Sequence, residues 1–173
     1  IYNNYASIYY KLGQYEQAII YQEKSLVIYR EVYGETHHAV GLGYDNIGSI
    51  YMALGEDQKA LDYLGKAVSI YQDVYGESHL STARVYDKIG QLYYNHNMYD
   101  QAESIMSEAL NIRISHCGDN HIDVASSYNN IGQIYLSRGE YEKAEELFTK
   151  CLQIKKKLLE DRHPDIATAL SNF

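Results

Sequence analysis

The sequence predicts an all-α protein built from repeated antiparallel helix pairs, and three observations carry that expectation. The 173-residue chain matches itself without a gap at a shift of 42 residues, which sets the columns Tyr2, Tyr44, Tyr86, Tyr128 and Tyr9, Tyr51, Tyr93, Tyr135. Within a period the apolar residues fall at helical spacing, as in Tyr44, Ile47, Gly48 and Tyr51, then Ala60, Leu61, Leu64, Ala67 and Val68. Midway through each period stands a residue that tolerates the left-handed backbone ending a helix: Gly13, Gly55, Asn97 and Gly139.

Each element follows from these columns. Four periods, about 2–43, 44–85, 86–127 and 128–169, are expected to form a single array within residues 1–173, truncated at both ends. The first helix, near 1–12, starts in the Tyr2 column and stops before Gly13. Its partner, near 15–32, carries Ala18 and stops at Gly34. The connector Gly34-Glu35-Thr36-His37 precedes a helix near 39–54, and Gly55 separates that from one near 57–74. Gly76-Glu77-Ser78-His79 then leads into 81–96, and Asn97 into 99–115. Gly118-Asp119-Asn120-His121 precedes 123–138, followed by 141–159. A last helix near 164–173 comes after Glu160-Asp161-Arg162-His163, with Pro164 in the first turn, where its missing donor costs nothing. Thr36, Ser78 and Asn120 are expected to accept from the free N–H groups at helix starts, with the His column closing each connector. Three mid-helix glycines, Gly48, Gly90 and Gly132, align with Ala6, and Gly inside a helix costs about 0.5–1 kcal/mol relative to Ala. They are expected to allow close helix approach opposite Ala18, Ala60, Ala102 and Ala144, with the tyrosines as core beside them. Asn97, Asp57 and the Gly41-Leu42-Gly43 run leave open a loosened helix start or junction.

These residues resemble a tetratricopeptide repeat. The longer unit, with Asn3-Asn4 and Asn129-Asn130 in first helices and a Gly-x-x-His connector, is similar to the 42-residue variety of kinesin light chains and their relatives. The resemblance covers essentially the whole chain. It implies a right-handed superhelical α-solenoid whose first helices line a concave groove that holds an extended peptide or a partner helix. It also implies that the second Asn of each pair, here Asn4, Asn46 and Asn130, faces that groove. The sequence departs from the pattern at His38, Leu80 and Ile122, where Pro would follow the connector His, and at Lys88 and Asn97 in the third unit.

Composition narrows the function. With 15 Lys+Arg against 23 Asp+Glu the net charge is -8, which argues against electrostatic binding to nucleic acid or an anionic membrane. No apolar run reaches the length of a membrane span. Two cysteines, Cys117 and Cys151, suit a reducing compartment, so a cytoplasmic location is expected. Constant spacing of His37, His79, His121 and His163 reflects the repeat, with copies one stacking step apart, too far to share a metal. His116, Cys117 and His121 are too few and too loosely spaced for a structural zinc site. Cys151 aligns with Ser25, Ala67 and Ala109 and reads as a small buried residue, and Lys155-Lys156-Lys157 as a solvated helix end. No Gly-rich phosphate loop, nucleophile elbow or isolated carboxylate pair is present, so neither an enzyme nor a cofactor is expected.

The groove remains. Its candidate residues are Asn4, Lys11, Asn46, Ser49, Arg84, Lys88, Gln91, Asn130 and Gln133, with Asn46, Arg84, Lys88 and Asn130 as the leading four. Carboxamides offer donors and an acceptor to an extended main chain, and Arg84 with Lys88 could pair with an acidic partner residue. The expected function is a non-catalytic interaction scaffold for a peptide or partner helix, the peptide carrying acidic and hydrophobic residues. The alternative is a structural or regulatory spacer within a larger parent chain, making intramolecular or self-association contacts.

Overall fold

The computed structural model describes residues 1–158. The helix expected at 164–173, with His163 and Pro164, lies outside the described residues. Eight α-helices and no strand occur among the described residues: α1 (Tyr2–Lys11), α2 (Tyr15–Tyr33), α3 (His38–Leu54), α4 (Asp57–Tyr75), α5 (Leu80–Asn95), α6 (Tyr99–Cys117), α7 (Ile122–Arg138) and α8 (Tyr141–Leu158).

The helix breaks follow the backbone chemistry of single residues. Gly55 has φ 74°, and its N–H and that of Glu56 turn back to the carbonyls of Met52 and Tyr51, satisfying the end of α3. Asn97 takes the same left-handed conformation at φ 59°, which Asn reaches more readily than other side chains. Between periods the backbone is different: Gly76 has φ 84° and ψ 172°, a region essentially reserved for glycine.

Helix starts correct the sequence reading. The side chains that cap are the connector histidines themselves. Nδ1 of His37 accepts from the Ala39 N–H at 3.2 Å, Nδ1 of His79 from the Ser81 N–H at 3.1 Å, and Nδ1 of His121 from the Asp123 N–H at 3.2 Å. Thr36, Ser78 and Asn120 sit one residue too early for that geometry. Two of the imidazoles also stack on the last tyrosine of the preceding helix, Tyr33 on His37 at 4.5 Å and Tyr75 on His79 at 4.0 Å.

The chain divides into two compact units, Ile1–Leu92 and Tyr93 onward. In the first, Leu26, Val40 and Ile47 are buried, with Tyr44, Tyr63 and Ile70 packed against them. Full burial of a side chain such as Val40 or Ile47 stabilises by about 1.5–3 kcal/mol relative to exposure. In the second, Ala102, Met106, Ile131 and Ile134 form one cluster and Val124, Ala125, Cys151 and Ile154 another. The small column works as the sequence implies. A Cβ on Gly48 would lie 2.7 Å from the Leu64 side chain, and one on Gly132 would lie 2.7 Å from Phe148. Gly41 and Gly43 lie within a continuous α3, where added Cβ atoms would meet Tyr71 at 2.9 Å and Leu26 at 2.7 Å, so they tighten a junction whose loosening the sequence left open.

Two further expectations are corrected. The tyrosine columns are not the fully buried core. Tyr9, Tyr44, Tyr51, Tyr128 and Tyr135 are half-buried, and Tyr9 and Tyr51 stack on Tyr21 and Tyr63 of their partner helices at 5.2 and 5.4 Å. Lysines Lys24, Lys66 and Lys150 lie over these rings, an arrangement that an amphipathic phenol at a helix margin permits and a buried one does not. Lys155 is buried, while Lys156 and Lys157 are exposed as a helix end predicts.

Candidate functional site

Polar side chains on successive first helices of the first unit are joined by hydrogen bonds. Asn46 Nδ2 on α3 donates to Asn3 Oδ1 on α1 at 3.1 Å. One repeat later the same two columns hold an ion pair. Asp45 aligns with Asn3 and Lys88 with Asn46, and Lys88 Nζ on α5 lies 2.5 Å from Asp45 Oδ1. Lys88 also donates to Ser49 Oγ at 2.7 Å, and Ser49 donates to the Asp45 carbonyl at 2.9 Å. Arg84 adds a second, longer contact to Asp45 at 3.4 Å. The Asp45 side chain is 3% exposed, Lys88 28% and Arg84 56%.

This arrangement accounts for the departure at Lys88. A buried carboxylate needs a charged, hydrogen-bonding partner, and an Asn in that place could offer only a neutral dipole. Two cations against one carboxylate leave a surplus of one positive charge, carried outward by Arg84. The same carboxylate acts on Tyr71, whose hydroxyl is pushed up to about 12 by burial and by the negative charge of Asp45.

Beside the Asn3–Asn46 pair lies a pocket of about 360 Å³ between α1, α2 and α3. Its walls include Ala6, Leu42 and Ile50, and its polar side chains are Asn3, Ser7, Tyr10, Gln22, Asn46 and Ser49. Such a volume is near the lower end for ligand pockets, room for a side chain or two.

The structure therefore brings Ser49, Arg84 and Lys88 together around Asp45, and pairs Asn46 with Asn3 on the α1 side. Asn4 and Lys11 are exposed on α1, and it is Asn3, not Asn4, that meets Asn46 and the pocket. Gln91 is exposed on α5. In the second unit Asn130 and Gln133 are half-buried on α7, one turn apart. That unit has its own polar lock: Arg138 pairs with Glu103 and Asp100, and the Tyr135 hydroxyl donates to Glu103. Burial pushes the Glu103 carboxyl up, but the bonds from Tyr135 and Arg138 outweigh it and hold it below the usual carboxylate range.

Sequence reasoning missed Asp45 as the anchor of the cations and missed Gln22 altogether. The signals were present: an Asp where the first repeat has Asn3, and a Gln in a column otherwise filled by Leu64, Met106 and Phe148.

No three His, Cys, Asp or Glu side chains among the described residues could hold a metal ion. Cys117 and Cys151 are free thiols, and burial pushes Cys151 up, away from the reactive thiolate. No described helix is long and apolar enough to cross a membrane.

Comparison with known proteins agrees with this architecture. The sequence profile described as "Tetratricopeptide repeat" matches residues 1–48, 40–115, 98–157 and 123–173. The solved structure of BtubC (BKLC) from P. vanneervenii is similar, with a TM-score of 0.83 and 29% identity over 94% of this chain. The chain spans 65% of the length of that structure. A kinesin-light-chain candidate of Podosopora anserina with nearly identical TPR-like repeats superposes with a TM-score of 0.82 at 19% identity, over 99% of this chain and 81% of that one. The apo form of RapI gives 0.81 at 18% identity, over 99% of this chain and 45% of that one. These last two likenesses establish fold alone. No curated protein sequence matches this chain.

Proposed function

The chain belongs to the tetratricopeptide-repeat family, whose members are typically non-enzymatic scaffolds for protein–protein interaction, and from that premise we propose that it binds a linear peptide along the first helices. What supports the reading is the file of polar side chains across α1, α3 and α5, in which Asn3 meets Asn46 and Asp45 meets Lys88. These pairs hold side-chain amides and charges at fixed positions, which suits a partner with an extended main chain and costs little reorganisation on binding. The surplus cation at Arg84 favours an acidic residue in the partner, and the neighbouring pocket favours a side chain docked beside the Asn pair. The second unit carries the same residue types on its own first helix at Asn130 and Gln133, and Asn4, Lys11 and Gln91 are exposed on the first helices of the first unit. Two free thiols and no disulfide fit a cytoplasmic setting.

The test is a selection of displayed random peptides on the intact chain and on an Arg84→Ala/Asn130→Ala variant shown by circular dichroism to keep its helicity. Neither substitution touches the Lys88–Asp45 bond. Peptides with a shared acidic position, enriched by the native chain and lost by the variant, are expected. Equal enrichment by both chains, or none by either, refutes the reading.

A further inference from the structure

The first repeat breaks a pattern kept by the others. In one column of the second helices stand Leu64, Met106 and Phe148, exposed by 0%, 3% and 3%, and the matching residue in α2 is Gln22, exposed by 1%. A glutamine there is as buried as the apolar residues it replaces. Its Nε2 has no hydrogen-bond partner. An amide N–H taken from water and given nothing in return carries its whole desolvation cost, and such orphans are rare enough in folded chains to call for a reason.

The reason is where it sits. Gln22 lines the pocket between α1, α2 and α3, with Ala6, Leu42 and Ile50 supplying apolar surface and Asn46 a second carboxamide. The terminal torsion of a glutamine is soft, so a small rotation presents the unpaired N–H to an acceptor inside the pocket. The chemistry of that acceptor is restricted. No residue lining the pocket carries a formal charge. Lys88, which reaches Ser49, is already committed to Asp45. A carboxylate would be desolvated there without a counter-charge. A carboxamide satisfies the site, accepting from Gln22 while its own N–H groups meet the side-chain oxygens around it, and its methylene stem packs on the apolar surface.

We propose that this pocket is a side-chain subsite that reads an uncharged carboxamide, a glutamine or asparagine of a bound peptide, through the amide of Gln22. The subsite rests on the peptide-binding reading above and adds a sequence requirement to it. An acidic residue belongs at Arg84, and a carboxamide belongs between α1 and α3.

The experiment is the display selection of random peptides extended to two further chains. Gln22→Met copies the residue that Met106 provides at the same column and removes the amide. Ser7→Met changes an exposed pocket residue on α1, fills the space from outside and leaves the buried column alone. Peptides enriched by the native chain are expected to share a Gln or Asn at one position. A synthetic peptide with Glu at that position should bind about tenfold or more weakly, since a site built to pair an amide rejects a group it cannot pair. Both variants are expected to lose the preference at that position and keep the acidic one. Peptides that depend on Arg84 but show no carboxamide position, or a carboxamide preference that persists in Gln22→Met, overturn the subsite and leave peptide binding standing. An absence of any enriched peptide overturns both.

Discussion

Replacing Lys88 by Asn, the residue its column holds in the three other repeats, is expected to damage the first unit more than an exposed lysine substitution ever would. The ammonium contacts Asp45 at 2.5 Å and Ser49 at 2.7 Å, and the Asp45 side chain is 3% exposed. Breaking a fully buried pair costs about 3–5 kcal/mol, because the remaining charge is stranded. Here Arg84 stays within 3.4 Å, and the 28% exposure of Lys88 lets water into the vacated space, so the cost falls to about 2–3 kcal/mol. Asp45→Asn strands only a lysine that can turn to solvent and should cost about 1–2 kcal/mol. The double variant rebuilds the neutral pair already seen at Asn3 and Asn46, and is expected within about 1 kcal/mol of the native chain. Equilibrium urea unfolding of all four chains, followed by far-ultraviolet circular dichroism, measures the cycle. Additive losses in the double variant would refute the claim that Lys88 is there because of Asp45.

Other outcomes follow from the same packing. Gly48→Ala places a methyl 2.7 Å from Leu64 and is expected to destabilise by about 1–2 kcal/mol despite its better helix propensity. Gly65→Ala in α4 meets nothing and should stabilise by about 0.5–1 kcal/mol, and thermal melts of the two compare them directly. His37→Ala removes an N-cap and is expected to cost about 0.5–2 kcal/mol, most of it recovered by His37→Asn, which caps without stacking on Tyr33. If His37→Asn is no better than His37→Ala in urea, the imidazole acts through its ring and not through Nδ1. Tyr71 titrates at about 12 in the folded chain against about 10 unfolded, so the unfolded chain sheds its proton first. Its contribution is intact below about pH 10 and is lost as pH rises through about 12, a fall of roughly 2–3 kcal/mol. Tyr71→Phe should flatten the decline of urea midpoints over that window, and an unchanged slope would dismiss the burial argument.

The helices were legible because the repeat places a stop residue at every boundary among the described residues. An expected helix at 57–74 is found as Asp57–Tyr75, since Gly55 and Gly76 adopt backbone conformations that end helices whatever surrounds them. Capping was misread for an instructive reason. Ser, Thr and Asn are the common N-caps, and they stand one residue too early, whereas the connector position that never varies is the histidine. The tyrosines were placed near the core by periodicity, but period alone does not separate a half-buried margin from an interior, and it is the hydroxyl and the lysines above the rings that settle the matter. At the site, Lys88 was recognisable as an anomaly but its partner was not. The side chains pair across columns, 43 residues apart, so a comparison made strictly column by column separates residues that touch.

Two kinds of departure from the repeat can therefore be told apart by what answers them. Lys88 is answered by Asp45, and the pair does within one interface what Asn3 and Asn46 do in the one before it. Gly48 and Gly132 are answered by Leu64 and Phe148, whose bulk fills the space that a missing methyl leaves. In the first repeat Ala6 stands in the glycine column and Gln22 in the column of the large apolar residue, and nothing among the described residues pairs the Nε2 that results. An answered departure conserves stability and needs no ligand. An unanswered one lowers stability in the free chain, as does the unpaired hydroxyl of Thr82 in the column of Val40 and Val124, but at Gln22 the unpaired group lines a pocket that a bound partner can enter. That asymmetry is why Gln22, with no counterpart in the other three repeats, points more directly to a ligand than the asparagines that the repeat supplies again and again.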